Sequence, residues 1–67
     1  MIKEVIIEKA KTEGLKRILR LIQGSVGAIV HDENEETIIT TFENTDIAVV
    51  NALEIEGVKV KRVEDVF

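Results

Sequence analysis

The 67-residue sequence predicts an α+β sandwich, in which a four-stranded antiparallel sheet carries two helices on one of its faces. Four short segments are rich in β-branched residues, which favour strands. Two segments between them repeat apolar residues at helical spacing, and glycines or polar clusters separate all six. A chain of this length predicts a single domain that spans residues 1–67.

The first segment, Ile2 to Lys9, predicts a strand that is covered on both faces, because Val5, Ile6 and Ile7 are adjacent and β-branched. The stretch "TEGLKRILRLIQG" then predicts a helix that begins after the N-cap residue Thr12 and stops at Gly24. The apolar residues of this helix fall on one stripe: Leu15, Ile18, Leu19 and Ile22.

The middle of the chain predicts a β-hairpin. Val26 to His31 forms its first strand, and Thr37 to Phe42 its second. The polar residues Glu33 to Glu36 connect them, and Asn34 tolerates the positive φ of a tight turn.

The stretch "NTDIAVVNALEIEG" predicts a second helix, capped by Asn44 or Thr45 and ended by Gly57. Its apolar residues wrap much of the helix circumference. The stretch "VKVKRV" predicts a last strand at an edge of the sheet, where Lys59 and Lys61 guard one side.

The element order β-α-β-β-α-β is that of the ferredoxin-like sandwich, with strands 1 and 3 at the centre of the sheet. Both helices cover one face, so the adjacent isoleucines of the central strands must leave an apolar patch on the other, which Ile6 and Ile39 are expected to form. Because such patches usually mark interfaces, the sequence predicts a homo-oligomer, most simply a dimer.

The composition excludes several kinds of chemistry. There is no cysteine and only one histidine, so disulfides, thiolate sites and sites with several histidines from one chain are excluded. The net charge of −4 and the two aromatic residues argue against nucleic-acid binding. No apolar run is long enough for a membrane span, and no export leader is recognisable, so a cytoplasmic protein without a cofactor is expected.

The stretch "HDENEE", residues 31–36, concentrates a histidine and four carboxylates. A hairpin tip points its side chains apart, so we expect a solvated turn there and no metal site. Ser25 is the only serine, and nothing in its spacing from His31 indicates a catalytic pair, so we expect no enzymatic activity.

The junction of the first strand with the first helix, "KAKTEGLKR", is the candidate ligand site. Helix-initial amides attract anions, and three lysines surround them. The bland interpretation is a capped helix start with exposed lysines. The functional interpretation is a site for a small anionic ligand, or for a carboxylate of a neighbouring subunit, formed by six residues: Lys11, Thr12, Glu13, Gly14, Leu15 and Lys16.

"TEGLKRILRLIQ" after a strand, and "ENTDIAVVNALEIEGVKV" near the end, resemble the amino-acid-sensing ACT domain. That resemblance implies an effector bound near Glu13, Gly14 and Leu15, between subunits. The chain is also similar in topology to the heavy-metal-associated domain. The first loop, "KAKTEG", lacks the paired cysteines of that family, so metal transport does not carry over.

The expected function is therefore a non-catalytic regulatory or interaction module, homo-oligomeric through the free sheet face, with an anionic effector at the first junction. The alternatives are a metal-binding or carrier protein without the usual cysteine motif, and a small subunit of a larger complex.

Overall fold

The computed structural model describes residues 1–66, so Phe67, the last residue of the predicted domain, lies outside the described residues. The elements are β1 (Ile2–Glu8), α1 (Glu13–Val26), β2 (Ile29–Glu33), β3 (Glu36–Phe42), α2 (Asp46–Ile55) and β4 (Val60–Asp65). The strands form one antiparallel sheet in the order β2-β3-β1-β4. The predicted ferredoxin-like α+β fold is confirmed, with strands 1 and 3 at the centre.

Helix α1 begins as predicted and ends later than predicted. The Oγ1 of Thr12 accepts a hydrogen bond from the Leu15 amide at 3.1 Å. The helix continues past Gly24 to Val26, and Gly27 is the left-handed cap, with φ 71° and its amide bonded to the Gln23 carbonyl. The prediction of Gly24 as the stop is wrong because a further turn packs Val26 against the core. Strand β2 consequently begins at Ile29 and not at Val26.

The hairpin turn is tighter than predicted. Glu33 pairs with Glu36, so only Asn34 and Glu35 form the connection, and Asn34 adopts the expected positive φ, 57°. The buried hydroxyl of Thr37 ties the hairpin to the end of β1, since it accepts from the Ala10 amide at 2.9 Å. The same hydroxyl donates to the Asp32 carboxylate at 2.6 Å.

The second helix ends as predicted, and the last strand carries a bulge. Gly57 adopts the left-handed conformation, φ 79°, directly after α2 and its cap. In β4, Val60 pairs with Ile7 and Arg62 with Ile6, so Lys61 is an extra residue in the strand.

The core lies between the sheet and the helices. It joins Val5, Ile7 and Ile39 of the two central strands to four helical residues: Leu19, Ile22, Val49 and Leu53. Ile39 pairs with Val5 and is fully buried on this side. Its expected position on the free face is therefore wrong. Side chains alternate along a strand, and it is Ile38, paired with Ile6, that points away from the helices.

Candidate functional site

The sheet face opposite the helices, here the open face, has Ile6 and Ile38 at its centre. These side chains are 1 % and 7 % exposed, although both helices lie on the other side. Arg62 on β4 and Glu36 on β3 form a bidentate ion pair, with N–O distances of 2.9 and 3.1 Å. Two strand spacings, about 10 Å, separate β3 from β4, so this pair must pass over β1. Arg62 is level with Ile6 in the strand register and Glu36 with Glu8, so we attribute the burial of Ile6 to this pair.

The ion pair is part of a charge network on the open face. The Lys61 amino group also reaches Glu36, at 2.7 Å, and the Nε of Arg62 donates to Glu64 at 2.8 Å. Hydrogen bonds from Arg62 and then Lys61 lower the pKa of the Glu36 carboxyl from 4.5 to about 2. The bond to Glu36 raises the pKa of the Arg62 guanidinium further above its usual range. The expected exposed apolar patch is thus replaced by buried isoleucines and a charge network. An interface role for Ile6 stays a prediction, whereas Ile39 does not lie on this face.

The larger exposed apolar surface lies on the helices. A groove of about 360 Å³ runs between α1 and α2, and we call it the helix groove. It is lined mainly by aliphatic side chains: Ile18, Leu21, Ile22, Val26, Ala48, Val49, Ala52 and Ile55. Leu21 on α1 is 65 % exposed. On α2, Ile55 is 82 % exposed and Ile47 is 64 % exposed. The sequence signal for this surface was the apolar circumference of the second helix, which has more apolar residues than one buried face can use.

A second cavity, about 310 Å³, opens beside the start of α1, and we call it the lysine pocket. Four lysines line it: Lys9, Lys11, Lys59 and Lys61. Glu8 is the one acidic residue in the lining. Sequence reasoning placed Lys59 and Lys61 only as guards of an edge strand. The register of β4 beside β1 brings them to the pocket, and a register between distant segments cannot be read from local patterns.

The structure brings together half of the predicted ligand residues. Lys11, Thr12 and Leu15 line the lysine pocket, whereas Glu13 and Gly14 do not. Lys16 lines a different cavity between α1 and β2, together with Arg20, His31 and Asp32. The predicted site is therefore divided between two sides of α1.

The hairpin tip separates its ionisable groups. His31 is about half exposed, and its Nε2 lies 3.9 Å from a Glu33 carboxylate oxygen, beyond hydrogen-bonding distance. The Asp32 carboxylate accepts instead from Thr37. Among residues 1–66, no group of three or more His, Asp or Glu side chains could hold a metal ion. Ser25 lines the helix groove and His31 a different cavity.

Comparisons with family models, with curated proteins and with solved structures find no match for this chain. The resemblances to the ACT and heavy-metal-associated domains therefore stay predictions. Within residues 1–66, neither helix has the length and apolar character that crossing a bilayer requires.

Proposed function

We propose that this chain is a non-catalytic interaction module that binds a second copy of itself through its helix layer. The main support for this proposal is the helix groove, in which Leu21 is 65 % exposed and Ile55 82 % exposed. Contiguous exposed apolar surface is costly in water, and in soluble proteins it usually marks a surface that meets another molecule.

The size of the chain favours self-association. A domain of about 60 residues buries only about 60 % of the surface of its unfolded chain, so a single small core gives marginal stability. This chain has no cysteine for a disulfide staple. Burial of the helix groove against a second copy would supply the missing apolar burial.

The helix layer is favoured over the open face as the contact surface. On the open face, Ile6 is shielded by the Arg62 and Glu36 pair, and the charged groups would lose hydration on docking. The helix groove is lined mainly by aliphatic side chains, with Glu56 as the charged residue among them, so docking there removes hydration from fewer charged groups. Leu21 and Ile55 in this groove are already mostly exposed, so a partner could cover them directly.

The test is the mass of the protein in solution, measured by sedimentation equilibrium over a wide concentration range. We expect a concentration-dependent dimer that the double variant Leu21→Glu, Ile55→Glu loses, because two carboxylates would be buried in the contact. The matched control is Ile29→Glu, since Ile29 is an exposed isoleucine on the other layer, 54 % accessible. The control should dimerise like the wild type.

Two results would contradict the proposal. A chain that is monomeric at every concentration would remove self-association. Loss of the dimer in Ile29→Glu with retention in Leu21→Glu, Ile55→Glu would place the contact on the sheet and not on the helices.

A second function, binding of a small anion, is favoured by the lysine pocket. Four lysines with one glutamate give a local excess of positive charge in a chain whose net charge is −4. The Lys61 amino group is engaged by Glu36, which leaves Lys9, Lys11 and Lys59 as the groups that would meet an anion. Such a ligand is consistent with a regulatory module that responds to an acidic metabolite.

Titration with inorganic phosphate and with amino acids at constant ionic strength, followed by NMR, tests this second function. Constant ionic strength matters because salt screens exposed charges. We expect saturable shifts around the lysine pocket that the variant Lys11→Glu, Lys59→Glu abolishes. Lys16→Glu is the control, since Lys16 lies outside the pocket. Equal loss in the control, or linear shifts without saturation, would contradict a site.

A further inference from the structure

The two helices have surface charges of opposite sign. The exposed charged residues in the middle of α1 are basic: Lys16, Arg17 and Arg20. Those at the end of α2 are acidic, Glu54 and its cap residue Glu56. None of these five side chains makes an ion pair within residues 1–66. Each helix therefore offers unpaired charge that suits the other helix of a second molecule.

The topology places these charges at the same end of the helix layer. Strands β1 and β2 both pair antiparallel with β3, so they are parallel to each other and α1 must run back between them. The same argument applies to α2, which joins β3 to β4. The helices are consequently antiparallel to each other, and the first half of α1 lies beside the end of α2. Ile18 and Ile55 both line the helix groove between them.

Resting on the proposed self-association, we infer that the dimer has a two-fold axis parallel to the helices, so that α1 of each copy stacks on α2 of its partner. Rotation about such an axis keeps each end of the helix layer at the same end. The basic residues in the middle of α1 then meet the acidic end of the partner's α2, twice in each dimer. An axis across the helices would instead stack α1 on α1 and α2 on α2 with their ends reversed, so the basic residues of α1 would not face the acidic end of α2.

The dimensions of the molecule suit this contact. The molecule extends 30 × 25 Å across its two longest axes and 17 Å through the third. A broad face of this size matches the roughly 800 Å² that each partner buries in an ordinary stable interface. The helix groove lies within the helix layer and supplies aliphatic contact, while the charges fix the orientation.

Charge reversal tests the orientation. The first variant is Arg17→Glu, Arg20→Glu, and the second is Glu54→Lys, Glu56→Lys. Each places like charges in both contacts, so we expect each to weaken dimerisation by about tenfold or more. The quadruple variant restores opposite charges in both contacts and has the wild-type net charge, because its two pairs of reversals cancel. We expect its dimer to be as tight as that of the wild type.

A matched control separates local from general repulsion. Lys9→Glu, Lys59→Glu changes the net charge as much as the first variant does, and both residues line the lysine pocket instead of the helix groove. This control should dimerise more tightly than Arg17→Glu, Arg20→Glu. Far-ultraviolet circular dichroism verifies that every variant keeps the fold.

The orientation would be overturned if the quadruple variant were no tighter than Arg17→Glu, Arg20→Glu, or if the control were equally weak. Stacking of like helices predicts a third pattern, in which both double variants dimerise like the wild type, and this result would overturn it too. A wild-type chain without any dimer would instead remove the proposed function itself. The failures of the orientation and of self-association are thus distinguishable.

Discussion

The two broad faces of the molecule use similar aliphatic residues and expose them very differently. On the open face, Ile6 and Ile38 are almost completely buried, and a charged network spans the strands at the level of Ile6. On the helix layer, Leu21 and Ile55 point into solvent beside an aliphatic groove. The face that has no covering helix is therefore shielded, and the layer that covers the sheet is the more exposed apolar surface.

The difference indicates that long charged side chains can cover a sheet face on which no helix packs. Arginine and lysine place their aliphatic stems on apolar surface and keep their charged ends in water. Arg62 reaches across a central strand, and its guanidinium is held by two hydrogen bonds to Glu36. The count of elements on each face is thus a poor guide to which face is available for docking.

The largest expected effect distinguishes the two faces by truncation of one isoleucine on each. Ile6→Ala should destabilise the monomer by about 2–4 kcal/mol, because it leaves a cavity under the ion pair. Ile55→Ala should change the stability of the monomer by no more than about 0.5 kcal/mol, since that side chain is 82 % exposed. Urea denaturation at concentrations where the chain is monomeric measures both.

Equal losses of monomer stability in Ile6→Ala and Ile55→Ala would show that Ile6 is not buried beneath the ion pair. The same comparison has a converse in association. Ile55→Ala should weaken the dimer, whereas Ile6→Ala should leave the dimerisation constant of the folded chain unchanged. Sedimentation measurements on the two variants provide this second readout.

A smaller effect concerns the charges over Ile6. The pKa of Glu36 is lowered from 4.5 to about 2 in the folded chain, mainly by hydrogen bonds from Arg62 and Lys61. A carboxyl whose pKa is lower when folded contributes stability above pH 4.5, and this contribution is lost as the pH falls toward about 2. Protonation of Glu36 removes the anion that holds Arg62 over β1.

The urea midpoints of the wild type and Glu36→Gln, compared at several pH values, measure this contribution. Other carboxyls titrate in the same range, so the informative quantity is the difference between the two proteins. We expect the wild type to be more stable at neutral pH and the difference to shrink between pH 4.5 and about 2. A difference that is constant over this range would show that the network does not stabilise the fold.

Much of the fold could be predicted from the sequence, because it depends on local signals. The helical stripe of α1, the Thr12 cap and the positive φ of Asn34 all follow from short patterns. The errors arose where two signals competed. Gly24 favoured an end of α1 at that residue, but Val26 packs against the core. The helix therefore continues, and its cap is Gly27, three residues later.

The sites were harder to predict, because they depend on register. Ile38 and Ile39 are adjacent, and only one of them can face the helices. The pairing of Ile39 with Val5 determines that it is Ile39. The cover over Ile6 depends on the bulge at Lys61, which lets Lys61 and Arg62 both reach Glu36. The lysine pocket likewise needs the alignment of β4 beside β1. No local spacing encodes these distances between remote segments.

The smallest expected effect tests how open the helix layer is. Gly24 lies inside α1, and a methyl group added there would meet no heavy atom within 4 Å. Gly24→Ala should therefore stabilise the monomer by about 0.5–1 kcal/mol, since alanine favours the helix and glycine does not. Gly27→Ala is the matched control, with equally open space but a φ of 71°, and it should destabilise by about 1 kcal/mol. Thermal unfolding of the two variants separates available space from backbone conformation. Destabilisation by Gly24→Ala would mean that the outer surface of α1 is already packed, and the contrast between an exposed helix layer and a shielded sheet would then fail.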